Sequence, residues 1–475
     1  MRKGGSRLLD SLPRSRQSLL FLVVFTLFYT EDFNIFTNTA VSDLCFASVG
    51  DLPFQPQYFS LLITFCGLVL LMLLYRWRLF AISEGRGLMV CCGFIMSGPL
   101  LWLAAPLTPV PLSVGLVGLA LITFGHLCFL PQIVKNLADI GVAQSLVSYA
   151  CVLVISTVLR PLILMLPASL LTAYLMISPV VMTSCLQLVE RDRIRPLELR
   201  KDAELRIPRT LFVTMVAIGV LAGLRIAAVP GTYLDRIIDN TIVLVVAGII
   251  AVYMALFRKM NFNRLIYFIG IPMMVMGLAI AVFPGGGAMP FGSALYLLGY
   301  HVFYAVIWAL YSYLVRFSSF NYYWLPITAA VGGFAGRFFS VVLLDLADDH
   351  IDLGLYLPFI VMIVIVVVLT LAIFLCSQNN MKSGWGSIAP GNDDFILDSF
   401  ERNCMTVAKS AGLTPRESDV LQLLARGRNR QYIAEKLFIT EGTAKTHIKH
   451  VYRKVGVHSQ QELIDVVEQS QKYAT

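Results

Sequence analysis

The run LTPRESDVLQLLARG at 413–427, followed by IAEKLFITEGTAKTHIKHVYRKVGVHSQQELI at 433–464, carries the clearest local signals in the chain. Thr414, Pro415 and Glu417 stand where a helix start needs a capping oxygen, a first-turn proline and a side chain that reaches back to the cap. Val420, Leu421, Leu423, Leu424 and Ala425 repeat at helical spacing, and Gly427 supplies the residue that ends the helix. A second helix is predicted from near Asn429 to Phe438, with Ile433, Ala434 and Leu437 turned inward. Thr440 caps a third helix running from Glu441 through Arg453, and Ser459 with Glu462 form a second capping box over a fourth.

On the third helix, Ala444, Ile448 and Val451 face inward, which leaves Lys445, Thr446, Lys449 and Arg453 outward as a basic stripe. A lone lysine pair on a helix is ordinarily just a solvated face. Here the stripe lies on the second of two helices joined by a tight turn, the arrangement that sets a recognition helix in the major groove. The residues resemble the LuxR-type helix-turn-helix pattern across 413–464. Members of that family carry Ser or Thr, Glu, any residue, Thr, Val, Lys, any residue, His. This chain has Thr440, Glu441, Gly442, Thr443, Ala444, Lys445, Thr446 and His447, departing only at Ala444. The resemblance implies base-edge contacts from Lys445, Thr446 and Lys449, and phosphate contacts from Thr443 and Arg453. It also implies a homodimer on promoter DNA, formed through the helix Ser459 to Val467 with Leu463, Val466 and Val467 in the seam.

The rest of the chain is governed by composition: 57% hydrophobic and 14% charged residues exclude an ordinary soluble protein. Twelve apolar stretches reach the length of about 17 to 25 residues that a lipid bilayer requires. They lie at 18–36, 57–77, 87–105, 110–131, 145–166, 168–189, 210–229, 240–257, 264–284, 291–314, 323–344 and 354–377. Short-loop charges alternate along them. Arg2, Lys3, Arg7, Arg14, Arg16, then Arg76, Arg78, Arg86, then Lys135, then Arg258, Lys259 and Arg264 fall on one side. Glu31, Asp32, Asp43, Asp51, Asp235, Asp239, Asp345, Asp348, Asp349 and Asp352 fall on the other, with Arg236 their only cation. The expectation is a multi-pass protein of a bacterial inner (cytoplasmic) membrane with both termini in the cytoplasm, its first span retained rather than cleaved as a signal peptide.

The loop 190–209 is long and basic and divides the stretches into six plus six. This resembles the major facilitator architecture, whose halves bind substrate between them. The loop YRWRLFAISEGRG at 75–87 lacks that family's aspartate and ordered glycines, which weighs against active transport. The expected fold is therefore all-α, a twelve-helix transmembrane bundle with a C-terminal four-helix LuxR-type domain. Its divisions are a membrane bundle at 1–377, a linker and short helix at 378–410, and the DNA-binding domain at 411–475. Within the linker, Ser377 to Asn392 reads as a tether, and Asp394 to Ser410 as a helix with Phe395, Phe400, Cys404 and Val407 on one face.

Arg160 and Arg337 fall inside predicted spans, where a charge costs several kcal/mol unless it is paired or lines an aqueous cavity. His126 and His301 precede them in equivalent spans. The candidate ligand site is therefore His126, Arg160, Tyr300, His301, Trp308 and Arg337, with Trp324 nearby, receiving an anionic or aromatic small molecule. Pairing of either arginine with a buried carboxylate is the structural alternative. The nine cysteines read as packing residues, and neither a metal site, a cofactor motif nor a catalytic motif is found in the sequence. The expected function is a membrane-bound one-component transcriptional regulator. The alternatives are a secondary transporter with a fused regulatory tail, or a tail that docks a protein instead of DNA.

Overall fold

The computed structural model describes residues 15–37, 56–77, 86–191, 209–228, 233–256, 262, 264–282, 289–317, 320–348, 353–375, 404, 407–408, 410–425, 427–437 and 439–469. The chain divides into two compact units, Met1–Ile388 and Ala389–Thr475, each built from helices.

In the first unit, α1 is Arg16–Thr37, α2 Pro56–Arg76, α3 Arg86–Ala104, α4 Pro111–Leu127, α5 Phe129–Ile140, α6 Val142–Leu164 and α7 Ala168–Arg191. Then come α8 Arg209–Ala228, α9 Tyr233–Leu256, a π-helical turn Arg264–Gly270 leading into α10 Ile271–Val282, α11 Met289–Phe317, α12 Trp324–Asp348 and α13 Leu353–Leu375. Only helices or closed barrels satisfy the backbone in hydrocarbon, so apolar runs of this length fold as helices. Ten helical stretches among the described residues are long and apolar enough to cross a membrane, and the unit is a multi-pass membrane bundle. α1 and α9 are not among the ten; the apolar part of α9 is the shorter segment Ile238–Met254.

Several loop assignments need correction. Glu31 lies within α1 at 1% exposure and Asp239 within α9 at 9%, so both acids expected in loops are in the bundle. Glu31 falls inside the stretch 18–36 itself, well before the end of α1 at Thr37, and Asp239 lies more than a turn into α9, which begins at Tyr233, ahead of the stretch 240–257. Lys135, also expected in a loop, lies on α5, a helix buried along nearly its whole length, and its ammonium bonds Glu190 at 2.9 Å. α5 docks through its C-terminal carbonyls: Ser312 donates to Leu137 at 2.8 Å, and Arg316 donates to Asp139 at 3.3 Å. A cation there suits the negative end of the helix.

Glycines set the closest crossings. A Cβ at Gly98 would strike Ile122 and the Gly118 carbonyl, which lets α3 press on α4; Gly277 against Gly292 does the same for α10 on α11. Where α8 crosses α12, Gly219 faces the Gly333 carbonyl and Gly336 faces that of Val216. α2 packs on α12 and α6 on α9.

The second unit contains α14 Pro415–Ala425, α15 Arg430–Lys436, α16 Glu441–Val455 and α17 Gln460–Gln469 around one apolar core. Cys404, Val407 and Ala408, ahead of the expected boundary at 410/411, belong to that core. The apolar face read at 394–410 packs into the second unit where it is described; Phe395 and Phe400 lie outside the described residues.

Candidate functional site

Each helix of the second unit starts where its cap dictates. Thr414 N–H donates to Glu417 Oε2 at 2.8 Å while Glu417 N–H donates to Thr414 Oγ1 at 3.3 Å, a reciprocal capping box. Asn429 accepts from the Tyr432 amide at 2.9 Å, and Thr440 accepts from the Thr443 amide at 3.2 Å. At α17, Ser459 Oγ accepts from the Glu462 amide at 3.1 Å, and the returning carboxylate takes the His458 amide at 2.9 Å. Gly456 closes α16 in the left-handed region at φ 81°.

The recognition helix α16 buries Ala444 and Val451 completely, which turns the rest of its surface outward. Ala444, the one departure from the family pattern, has no exposure at all. Lys445, Thr446, Lys449 and Arg453 are exposed along one side, and Thr443 is exposed at the first turn beside Thr440. Lys454 is occupied differently: its ammonium bonds Glu417 Oε2 at 2.7 Å and the Gly412 carbonyl at 3.3 Å. That bond, with the Thr414 amide, holds the Glu417 carboxyl at about 2, below the usual glutamate value of 4.5. A single buried carboxylate thus caps α14 and anchors α16, and sequence spacing shows only the cap. Arg430 pairs with Glu441 at 2.9 Å and clasps the N-terminus of α15 to that of α16.

The residues read as a dimer seam are Leu463, Val466 and Val467. Leu463 has 0% and Val467 1% exposure inside the domain's own core, and of the three only Val466 is half-exposed. A helix with one apolar stripe spends it on its own domain first.

In the membrane unit, Arg160 Nη1 lies 3.2 Å from Asp239 Oδ2, and Asp239 Oδ1 lies 3.0 Å from His301 Nε2. Tyr29 Oη is 3.4 Å from His301 Nδ1, and the Arg160 guanidinium sits 5.3 Å from the centre of the Tyr29 ring. Helices α1, α6, α9 and α11 therefore meet at one buried ionic knot. Arg160 is paired with a carboxylate, the structural alternative weighed for it. Asp239 and Tyr29 were missed by sequence reading, since a carboxylate at a span edge looks like a loop residue.

The other candidates divide. Tyr300 joins His301, with its ring 4.7 Å from that of Tyr304 and 6.2 Å from that of Tyr296. His126 stands in a separate pair, its Nδ1 3.6 Å from Glu31 Oε2 and its ring stacked on Phe28 at 4.4 Å. Trp308 packs edge-on against Phe25, 5.1 Å away, and Trp324 leans on Tyr75. Arg337 is half-buried on α12, and its charge acts on Tyr296 and Tyr304.

Residues 411–467 match the family described as bacterial regulatory proteins, luxR family. The nitrate/nitrite response regulator NarL of Escherichia coli is 44% identical over 68 residues, 14% of this chain and 32% of NarL. An HTH-type transcriptional regulator of Mycobacterium tuberculosis is 43% identical over 53 residues, 11% of this chain and 6% of that protein. The chain thus spans a third or less of the length of these curated relatives. Among solved structures, the transporter FucP in an outward conformation superposes with a TM-score of 0.53 at 14% identity, covering 76% of this chain and 98% of FucP. A bacterial homologue of the iron transporter ferroportin gives 0.57 at 14% identity, covering 77% and 100%. Residues 411–467 are a LuxR-family helix-turn-helix domain, carried on the same chain as a membrane bundle with the major facilitator fold.

Proposed function

We propose that this chain is a membrane-bound one-component transcriptional regulator: the bundle senses a small molecule, and the LuxR-type domain binds promoter DNA. The observation that carries the reading is the exposed row Lys445, Thr446, Lys449 and Arg453 on a capped recognition helix, in a chain whose other unit is a membrane bundle. In this reading Lys445, Thr446 and Lys449 meet base edges, Thr443 and Arg453 meet phosphates, and two copies bind half-sites about one helical turn apart. The partly exposed Val466 and Ile464 of α17 are the apolar surface left for that dimer.

The bundle has twelve crossings in two six-helix halves, lies in a bacterial inner membrane and keeps both termini in the cytoplasm, where the DNA is. Two observations support the halves: the glycine-lined crossing of α3 on α4 recurs as α10 on α11, and Gly118 and Gly125 are seven residues apart, as are Gly292 and Gly299. A ligand that binds one packing of the halves better than the other shifts their equilibrium, and with it the freedom of two DNA-binding domains to pair.

The test is binding of the 389–475 fragment to DNA from upstream of its own gene at two salt concentrations. Lys445→Ala with Lys449→Ala should cost about 1–3 kcal/mol per base contact and relax sequence preference. Arg453→Ala should weaken binding evenly across sequences and flatten the salt slope by about one. Binding that survives all three changes overturns the assignment. The major facilitator fold favours a second reading, a functioning transporter with a regulatory tail. Uptake separates the two, because a sensor binds its ligand without moving it.

A further inference from the structure

Arg160 is held by Asp239, but the bundle contains other intramembrane arginines in different circumstances. Arg225, near the end of α8, donates through Nη2 to Ser293 at 3.1 Å and lies 5.4 Å from the centre of the Tyr296 ring. Arg337, on α12, acts through its charge on the same Tyr296 ring. The glycine-lined crossing explains how: a Cβ on Gly223 would lie 2.8 Å from the Arg337 carbonyl, so the absence of a side chain there brings the two arginine-bearing backbones together. Tyr296 sits between them on α11, with 2% exposure, and feels the field of both guanidiniums.

Polar atoms at this place are left over. Among the described residues, Arg225 Nε, Arg337 Nε and the Tyr296 hydroxyl are buried without a hydrogen-bond partner. Asp239, the carboxylate whose field reaches Arg225, is already bonded to Arg160 and His301. The carboxylate nearest in effect to Arg225 is thus already committed to Arg160 and His301, and among the described residues two guanidinium donors and a hydroxyl are left over around the Tyr296 ring. A charge inside a membrane is costly unless something pairs with it, and a buried donor without an acceptor adds its own penalty.

We propose that Arg225, Arg337 and Tyr296 bind a small organic anion through its carboxylate or phosphate group, with the Tyr296, Tyr300 and Tyr304 rings beside an aromatic body. This rests on the reading of the bundle as a ligand sensor and names the site of sensing. It also moves the anion from Arg160, expected from sequence, to Arg225. The same chemistry occurs in a soluble metabolite and in an anionic lipid headgroup.

The experiment uses the full-length purified protein, with benzoate as the anionic probe and benzyl alcohol as its neutral counterpart. Thermal unfolding and calorimetric binding are measured in detergent and in phosphatidylcholine nanodiscs. Benzoate, and not benzyl alcohol, should raise Tm, and Arg337→Met or Arg225→Met should lower benzoate affinity about tenfold or more. Without probe, these two variants should unfold at a higher temperature than wild type, because each removes an unneutralised charge; Arg160→Met, which leaves Asp239 with His301 but without its arginine, should unfold at a lower one. Tyr296→Phe, which keeps the ring, should weaken benzoate binding and leave the probe-free Tm nearly unchanged.

In nanodiscs containing phosphatidylglycerol, loss of the benzoate response in wild type would assign the site to a lipid headgroup, and its retention would assign it to a soluble anion. Benzoate stabilisation that persists equally in both arginine variants overturns this site while leaving the sensor reading standing. A lower probe-free Tm in both variants, with no benzoate response in wild type, overturns it too and makes the arginines structural. The sensor reading is then decided separately, by a promoter reporter grown on varied media.

Discussion

At the scale of single residues, Glu417 decides more than its place in a cap suggests. Its carboxylate accepts from the Thr414 amide and from Lys454, and His450 Nδ1 stands 3.6 Å from its other oxygen. Hydrogen bonds to a charged group contribute about 1.5–3 kcal/mol, so Glu417→Gln should destabilise the 389–475 unit by about that much in urea unfolding. The pH dependence follows from the lowered carboxyl. The folded value of about 2 lies below the ordinary 4.5, so the stabilisation is fully present above 4.5 and is lost as pH falls toward 2. Glu417→Gln should flatten the stability profile across that window, and an unchanged acid limb would sink the account. The cap itself is legible in the sequence, because Thr, Pro and Glu at fixed offsets have one common explanation. The bond to Lys454 is not, since it joins residues 37 apart in the chain.

At the scale of elements, the helices of the second unit follow their periodicity and caps, and the same signals fail where one pattern serves two ends. Leu463 and Val467 carry the spacing of a dimer seam and of a core alike, and only packing tells which use wins. α5 was invisible as an element because Gln132, Lys135 and Asn136 make it read as a loop; tertiary partners such as Tyr323 and Glu190 satisfy those groups in the interior. The glycine crossings are legible as glycines and not as crossings. Substituting Gly219 with Leu would drive a side chain into the Gly333 carbonyl, forcing α8 off α12 at a cost of about 1–3 kcal/mol or more. Gly248, with nothing near its missing Cβ, is the control, and Gly248→Ala should be neutral or slightly stabilising. Thermal unfolding in detergent reads both, and equal Tm values for the two variants would mean that the crossing is not closely packed.

At the scale of the whole membrane unit, the knot of Tyr29, Arg160, Asp239 and His301 draws helices from its beginning, middle and end onto one carboxylate. Breaking such a knot on one side should be worse than removing it. Asp239→Leu leaves the Arg160 guanidinium buried without its counter-charge and should cost about 3–5 kcal/mol; Arg160→Met takes the arginine from the carboxylate in the same way. Replacing both, Arg160→Met with Asp239→Leu, removes the two charges together and should recover most of that loss, because a buried pair is worth little against well-packed apolar groups. The four thermal unfolding curves form a double-mutant cycle, and a coupling above about 1 kcal/mol marks the residues as one unit. Additive losses would mean that each residue is held by other partners and that the knot does not join the helices. If the coupling is found, a promoter reporter should show shifted output in the single variants although the 389–475 fragment, untouched by the change, binds DNA with unaltered affinity. Such a split would locate the signal in the bundle's packing, whereas reporter output indifferent to the knot would move the sensing elsewhere in the bundle.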